Sequence, residues 1–189
     1  MVYSFSFSFS FSGNSIFHVA IISTLLLSML SCTGAEKDES CPGSSAWKSA
    51  KCKMIVRFQQ PCTVVQSEIN LRITSPAWID PHNAGTYKQI TSQSGDVHGS
   101  RTTASGKYTD LFNFSLIDIE GKGCQLTACS ESQVFSIFDY STNYCNLRNL
   151  YCNSEDDCVP VQYNLDYSEE YTLCSQNQKQ NCVAHVNSS

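Results

Sequence analysis

Along this chain the spacing of apolar positions changes several times, and each change marks a structural element. From Met54 to Gln59, the residues Met54, Val56 and Phe58 alternate with Ile55 and Arg57, the period-two pattern of a half-buried strand. After Pro61 the period lengthens. Val65, Ile69 and Ile73 recur every fourth residue and form one stripe of a helix, with Thr63 as its cap and Pro76 as its stop. Trp78 to Gly85 is turn-rich, Tyr87 to Ile90 reads as a short strand, and residues 91–106 read as a loop of Ser, Thr and Gly. The clearest alternation lies between Tyr108 and Ile119. There Phe112, Phe114 and Leu116 take one face while Asn113, Ser115 and Ile117 take the other. Glu120 to Gly123 is a hairpin turn, and Cys124 to Tyr140 contains the returning strand or strands. Residues 141–158 read as a bridged connection, Val159 to Leu165 as a last strand, and the chain from Ser175 as a polar tail. These elements predict an α+β fold: an antiparallel sheet of about five strands with one main helix packed on one face.

Composition changes the picture first at the N-terminus. The first charged residue is Glu36; before it lie a Phe/Ser tract, Phe5 to Ser12, and an apolar run from Ile16 to Leu30. That run has the length of a signal-peptide core and falls short of the roughly 20 residues a membrane-spanning helix needs. Thr33 and Ala35 supply the small residues of a cut after Ala35, so residues 1–35 are read as an export signal and 36–189 as one secreted domain. The n-region lacks Lys and Arg, which leaves an uncleaved anchor, or a lipid-modified Cys32, as the competing readings. No second apolar stretch approaches spanning length.

Eleven cysteines agree with export. Once Cys32 leaves with the signal, Cys41, Cys52, Cys62, Cys124, Cys129, Cys145, Cys152, Cys158, Cys174 and Cys182 form an even set, as an oxidising compartment predicts. Zinc modules show paired C-x-x-C knuckles, and this chain has none, so disulfides are expected and neither a metal nor a cofactor is. Locality suggests one group of bridges within 41–62 and another within 124–182, with a bridge between them.

Charge narrows the partners. Residues 36–122 hold ten Lys/Arg against nine Asp/Glu, whereas residues 123–189 hold two against eight. Such an acidic C-terminal part opposes nucleic acid and anionic membrane surfaces.

The candidate chemistry is sparse. Beyond the signal, the histidines are His82, His98 and His185; only His82, beside Asp80, offers a general base, and Ser130 or Ser132 would be its nucleophile. No nucleophile-elbow context surrounds these residues, and Asp80 to Asn83 reads equally as a turn bonded to its own backbone. Glu155, Asp156 and Asp157 lack the alternating oxygens and the glycine of a calcium loop, so they read as a solvated acidic loop. Six tyrosines, Tyr140, Tyr144, Tyr151, Tyr163, Tyr167 and Tyr171, suit either a pocket lining or core packing. Phe112, Phe114, Phe135, Ile137 and Tyr163 are the candidates for an apolar pocket beneath the helix. Asn113-Phe114-Ser115 is a glycosylation sequon that requires Asn113 to face outward; Asn187-Ser188-Ser189 is a second, close to the end.

The segments Trp78 to Tyr87, Cys129 to Gln133 and Asp139 through Tyr144-Cys145-Asn146-Leu147 to Tyr151-Cys152 resemble a group of small secreted cysteine-rich proteins of algae and other unicellular eukaryotes. The likeness spans most of residues 41–160. It implies export and a shared disulfide-bearing fold, and it brings no catalytic residues. Three function classes stay open: a binding module for a small apolar ligand or an extracellular protein partner, a structural or interaction protein of the cell surface, and a hydrolase using His82.

Overall fold

A computed structural model describes residues 41–183. Residues 1–35, His185 and the Asn187 sequon, for which the sequence carries expectations, lie outside the described residues. The order of elements is β1 (Lys51–Phe58), α1 (Cys62–Thr74), β2 (Thr86–Gln93), β3 (Asp96–Thr102), β4 (Thr109–Ile119), β5 (Gly123–Ser132), α2 (Thr142–Arg148) and β6 (Tyr167–Cys174), with 3-10 turns at Ser154–Asp156 and Lys179–Cys182. The strands form one antiparallel sheet in the order β2-β3-β4-β5-β1-β6. The α+β class agrees with the sequence reading, but six strands replace about five, and a second helix, α2, stands where a bridged connection was expected.

The inner face of the sheet follows the alternation read from sequence. Cys52, Met54, Val56 and Phe58 of β1, Phe112, Phe114 and Leu116 of β4, and Leu126 and Ala128 of β5 are all buried. Helix α1 lays Val65, Ile69 and Ile73 onto them. Thr63 is exposed and caps nothing. Instead, Asp118 at the end of β4 accepts the Cys62 backbone N–H at 2.9 Å, placing a carboxylate at the helix N-terminus where the macrodipole favours it.

Two sequence readings fail for identifiable reasons. Residues 91–106 hold most of the β2–β3 hairpin, which turns at Gly95 with φ +86°. Strand β2 lies at the sheet edge and buries only Tyr87, so it carries no apolar alternation. In β3 the buried positions are Val97, Gly99 and Arg101, only one of them a large apolar residue. Gly99 is required there: a Cβ would lie 2.3 Å from the Phe112 ring. Val159 to Leu165, expected as a strand, is irregular, and the strand lies further on at Tyr167–Cys174. The N–H groups of Val161, Gln162 and Tyr163 converge on the Glu68 carboxylate at 2.7, 2.9 and 2.8 Å. Successive amides that aim at one acceptor cannot alternate as a strand requires.

The ten cysteines form five disulfides: Cys41–Cys129, Cys52–Cys174, Cys62–Cys124, Cys145–Cys182 and Cys152–Cys158. The expected local group within 41–62 does not form; each of its three cysteines crosses to the C-terminal set. Strand order explains this, because β1 is inserted between β5 and β6 and Cys52 lies opposite Cys174 in register.

If α1 is held by its inward stripe, Ile69→Ala costs about 2–5 kcal/mol in denaturant melts. Thr63→Ala, on the exposed side, stays within about 0.5 kcal/mol. Gln66 is no neutral control, since its side chain donates to the Gln93 carbonyl and accepts from the Gly95 N–H.

Candidate functional site

Asp80 and His82 follow the turn after α1, and both are buried. Their carboxylate and imidazole are engaged with different partners. Asp80 Oδ2 lies 2.7 Å from both Nε and Nη2 of the buried Arg101, and its Oδ1 accepts from Asn149 Nδ2 and from the His82 backbone N–H. Arg101 also donates to the His82 carbonyl, and it passes so close to Gly85 that a Cβ there would lie 2.3 Å from the guanidinium carbon. The His82 ring turns elsewhere: Nδ1 lies 2.6 Å from the Asn181 carbonyl, which fixes the proton on that nitrogen, and Nε2 lies 3.3 Å from Thr142 Oγ1. Burial pushes the imidazole pKa below its ordinary value, opposed by the Asn181 bond and reinforced by the Arg101 charge.

Ser130 and Ser132 belong to a separate buried network. Ser130 Oγ donates to Asn143 Oδ1 at 2.7 Å and accepts from Asn146 Nδ2, while Ser132 Oγ accepts from Asn143 Nδ2 at 2.9 Å. Asp80, His82 and these serines thus share a region, but His82's ring bonds to neither the carboxylate nor a serine hydroxyl.

The tyrosines divide. Tyr144 and Tyr151 are buried and donate to the Glu169 carboxylate at 3.0 Å, and burial followed by the Glu169 charge pushes both phenols up. Tyr167 donates to Asp156, which also pairs with the buried Arg148 at 2.8 Å. Asp156 is therefore a counter-ion, while its neighbours Glu155 and Asp157 are exposed. Tyr163 is half-buried against the core. Among the described residues, no three metal-ligating side chains come together.

Of the five pocket candidates, Phe112 and Phe114 are buried in the core with ring centroids 5.4 Å apart, so they line no pocket. Phe135 and Ile137 are exposed rather than beneath the helix. They belong to a cleft of about 530 Å³ between the start of β4, the end of β5 and the loop 133–141. Its walls are Val134, Phe135, Ile137 and Phe138, its rim the rings of Tyr108 and Tyr140, and its floor Asp110, Ser132, Asp139 and Thr142. Phe138 is 74% exposed and Tyr140 76%.

Polar bonds hold this loop while its apolar side chains face out. Asp139 Oδ1 accepts the Ser141 N–H, and Oδ2 accepts the N–H and Nδ2 of Asn143, turning the chain into α2. Gln176 Oε1 accepts the Tyr140 N–H at 2.6 Å. The Ser136 N–H donates to the Lys48 carbonyl, and Ser136 Oγ accepts the Ala50 N–H. Trp47 of the N-terminal arm stacks on Phe135 at 5.2 Å between centroids. Phe135 and Ile137 were legible in the sequence as pocket candidates, whereas Phe138 and the carboxylates Asp110 and Asp139 were not; the cluster of Val134, Phe135, Ile137 and Phe138 just before Asp139 was the available signal.

No family model matches the chain, and no curated protein or solved structure matches it.

With its folded pKa below the unfolded value of about 6.5, neutral His82 contributes stability that is complete above that pH and is lost on acidification through the lower value. Denaturant melts at about pH 7.5 and pH 5.0 check this: the loss on acidification is smaller in His82→Gln than in the parent.

Proposed function

We propose that this protein is a secreted, disulfide-stabilised binding module that takes an apolar ligand in the cleft of loop 133–141. The observation that carries this reading is an apolar surface that folding leaves open. Val134, Phe135, Ile137 and Phe138 stand out from a loop whose backbone N–H groups are bonded at Gln133, Ser136, Asp139, Tyr140 and Ser141. A contiguous exposed apolar surface of this kind marks an interaction site. A cleft of about 530 Å³ lies within the range of small-molecule sites. The engagement of the His82 ring with Asn181 and Thr142 favours binding over hydrolysis, since a general base needs a free lone pair near the reacting group.

The test is a titration with the neutral fluorophore Nile red. The parent protein binds it saturably, and the double variant Ile137→Ser/Phe138→Ser binds at least about tenfold more weakly, because each side chain buries area worth over 1 kcal/mol. Thermal melts stay unchanged, as both residues are exposed. Equal binding by both proteins would sink the reading. So would turnover of an ester, glycoside or peptide panel that His82→Ala abolishes.

Export belongs to the same proposal, supported by five disulfides and by the absence, among the described residues, of any helix long and apolar enough to cross a membrane. Asn113 lies half-buried on the face opposite Phe112 and Phe114, as its sequon requires. Expressed in a eukaryotic secretory host, the protein is recovered from the medium starting at Glu36. Treatment with peptide N-glycosidase lowers its mass by one glycan, and Asn113→Gln removes that shift. Retention in the membrane fraction with residues 1–35 intact would overturn the export reading.

A further inference from the structure

We infer that the cleft selects an organic ammonium ion, a protonated amine carried on an apolar body. This rests on the cleft being a ligand site and adds the ligand's charge. Asp110 and Asp139 lie on the cleft floor and are 4% and 9% exposed. The donors that bond them are neutral: Asn146 Nδ2 at 2.8 Å to Asp110, and the Ser141 and Asn143 amides to Asp139. These bonds fix the two carboxylates in place without cancelling their charge.

The neighbouring side chains leave that charge in excess. None of the residues lining the cleft is basic. Arg101 pairs in register with Asp110, but its guanidinium is bound to Asp80 and to the His82 carbonyl. Burial disfavours the charged form of His82, whose ring meets Thr142 of the floor. Asp80 and Asp110 thus share one buried guanidinium, while Asp139 is bonded by neutral donors alone. A carboxylate partly removed from water gains most from an added cation, because the local dielectric is low. Aromatic faces add to the same preference: Tyr108, Phe135, Phe138 and Tyr140 line the cleft, and an ammonium gains over a ring face what a neutral group does not. At the rim, Lys107 Nζ already lies 5.0 Å from the Tyr108 ring centroid. A neutral ligand would leave the floor's charge uncompensated, and an anion would be repelled by it.

Three probes with one body test this: 4-phenylbutylammonium, 4-phenylbutan-1-ol and 4-phenylbutanoate. Binding is followed by calorimetry and by the fluorescence of Trp47, which stacks on Phe135 at the wall. The ammonium binds at least about tenfold more tightly than the alcohol, and the carboxylate most weakly. Asp110→Asn, nearly isosteric, removes most of the ammonium's preference over the alcohol. The comparison among probes on the unaltered protein needs no variant, so a poorly folded Asp110→Asn does not blunt it. If the alcohol binds as tightly as the ammonium, and Ile137→Ser/Phe138→Ser weakens both, the charge inference falls while the apolar site stands. If none of the three binds, both fall.

Discussion

A single turn of helix α1 fixes two distant parts of this molecule to it. Glu68 and Arg72 are fully buried and joined at 2.7 Å across that turn. Alone, a buried carboxylate is costly, and its desolvation would raise the Glu68 pKa. Three backbone N–H groups and the Arg72 guanidinium outweigh that effect and hold the pKa below the ordinary carboxylate range. Those N–H groups come from residues 161–163, and Arg72 Nη1 donates to the Asn149 carbonyl just past α2. The pair therefore ties α1 to the end of α2 and to the segment that precedes β6. Loss of either partner would strand a buried charge, at about 3–5 kcal/mol. With 161–163 committed to Glu68, the last strand starts at Tyr167, and Glu169 lies where Tyr144 and Tyr151 can donate to it.

The interior has two characters. Beneath α1 it is apolar: Met54, Val56, Phe58, Ile69, Phe112, Phe114 and Leu126 exclude water. Towards the cleft it becomes polar, built from Asp80, Arg101, Ser130, Asn143, Asn146 and Asn149, all buried. A polar interior specifies geometry more narrowly than an apolar one, because each donor must meet its acceptor. That narrowness is put to use in loop 133–141. Its backbone is held by Asp139, Ser136 and Gln176, which frees its apolar side chains from packing duty. The usual relation of hydrophobic interior to polar surface is locally reversed.

How much of this could be read from sequence depends on what each element buries. Strands β1, β4 and β5 and helix α1 were legible because their inward positions are apolar at the period of the element. Strand β2 was legible only over Tyr87 to Ile90, because it lies at an edge and buries Tyr87 alone, and β3 was hidden because Gly99 and Arg101 occupy inward positions where an apolar residue would signal a strand. Glu68 and Arg72 carried a usable clue, since both fall within the stripe of Val65, Ile69 and Ile73 and so had to be buried as a pair. Phe112, Phe114, Phe135 and Ile137 all read as apolar, yet two entered the core and two the surface. Only the loop's polar anchors decide that, and they come from positions as far apart as Ala50 and Gln176.

The disulfides carry the same lesson to the cleft. Cys129 falls on the face of β5 opposite Ala128 and Ser130, and its bond to Cys41 draws the N-terminal arm across that side of the sheet. The arm then runs beside loop 133–141, through Lys48 and Ala50, and delivers Trp47 to Phe135. On the other side, Gln176, two residues after Cys174 and its bond to Cys52, holds the Asp139–Tyr140 turn. Two bridges that look merely stapling thus converge on the cleft. They fix the arm behind its wall and the turn beside its floor, so the surface of the cleft is already ordered, and under the proposed binding function little binding energy would be lost to immobilising it.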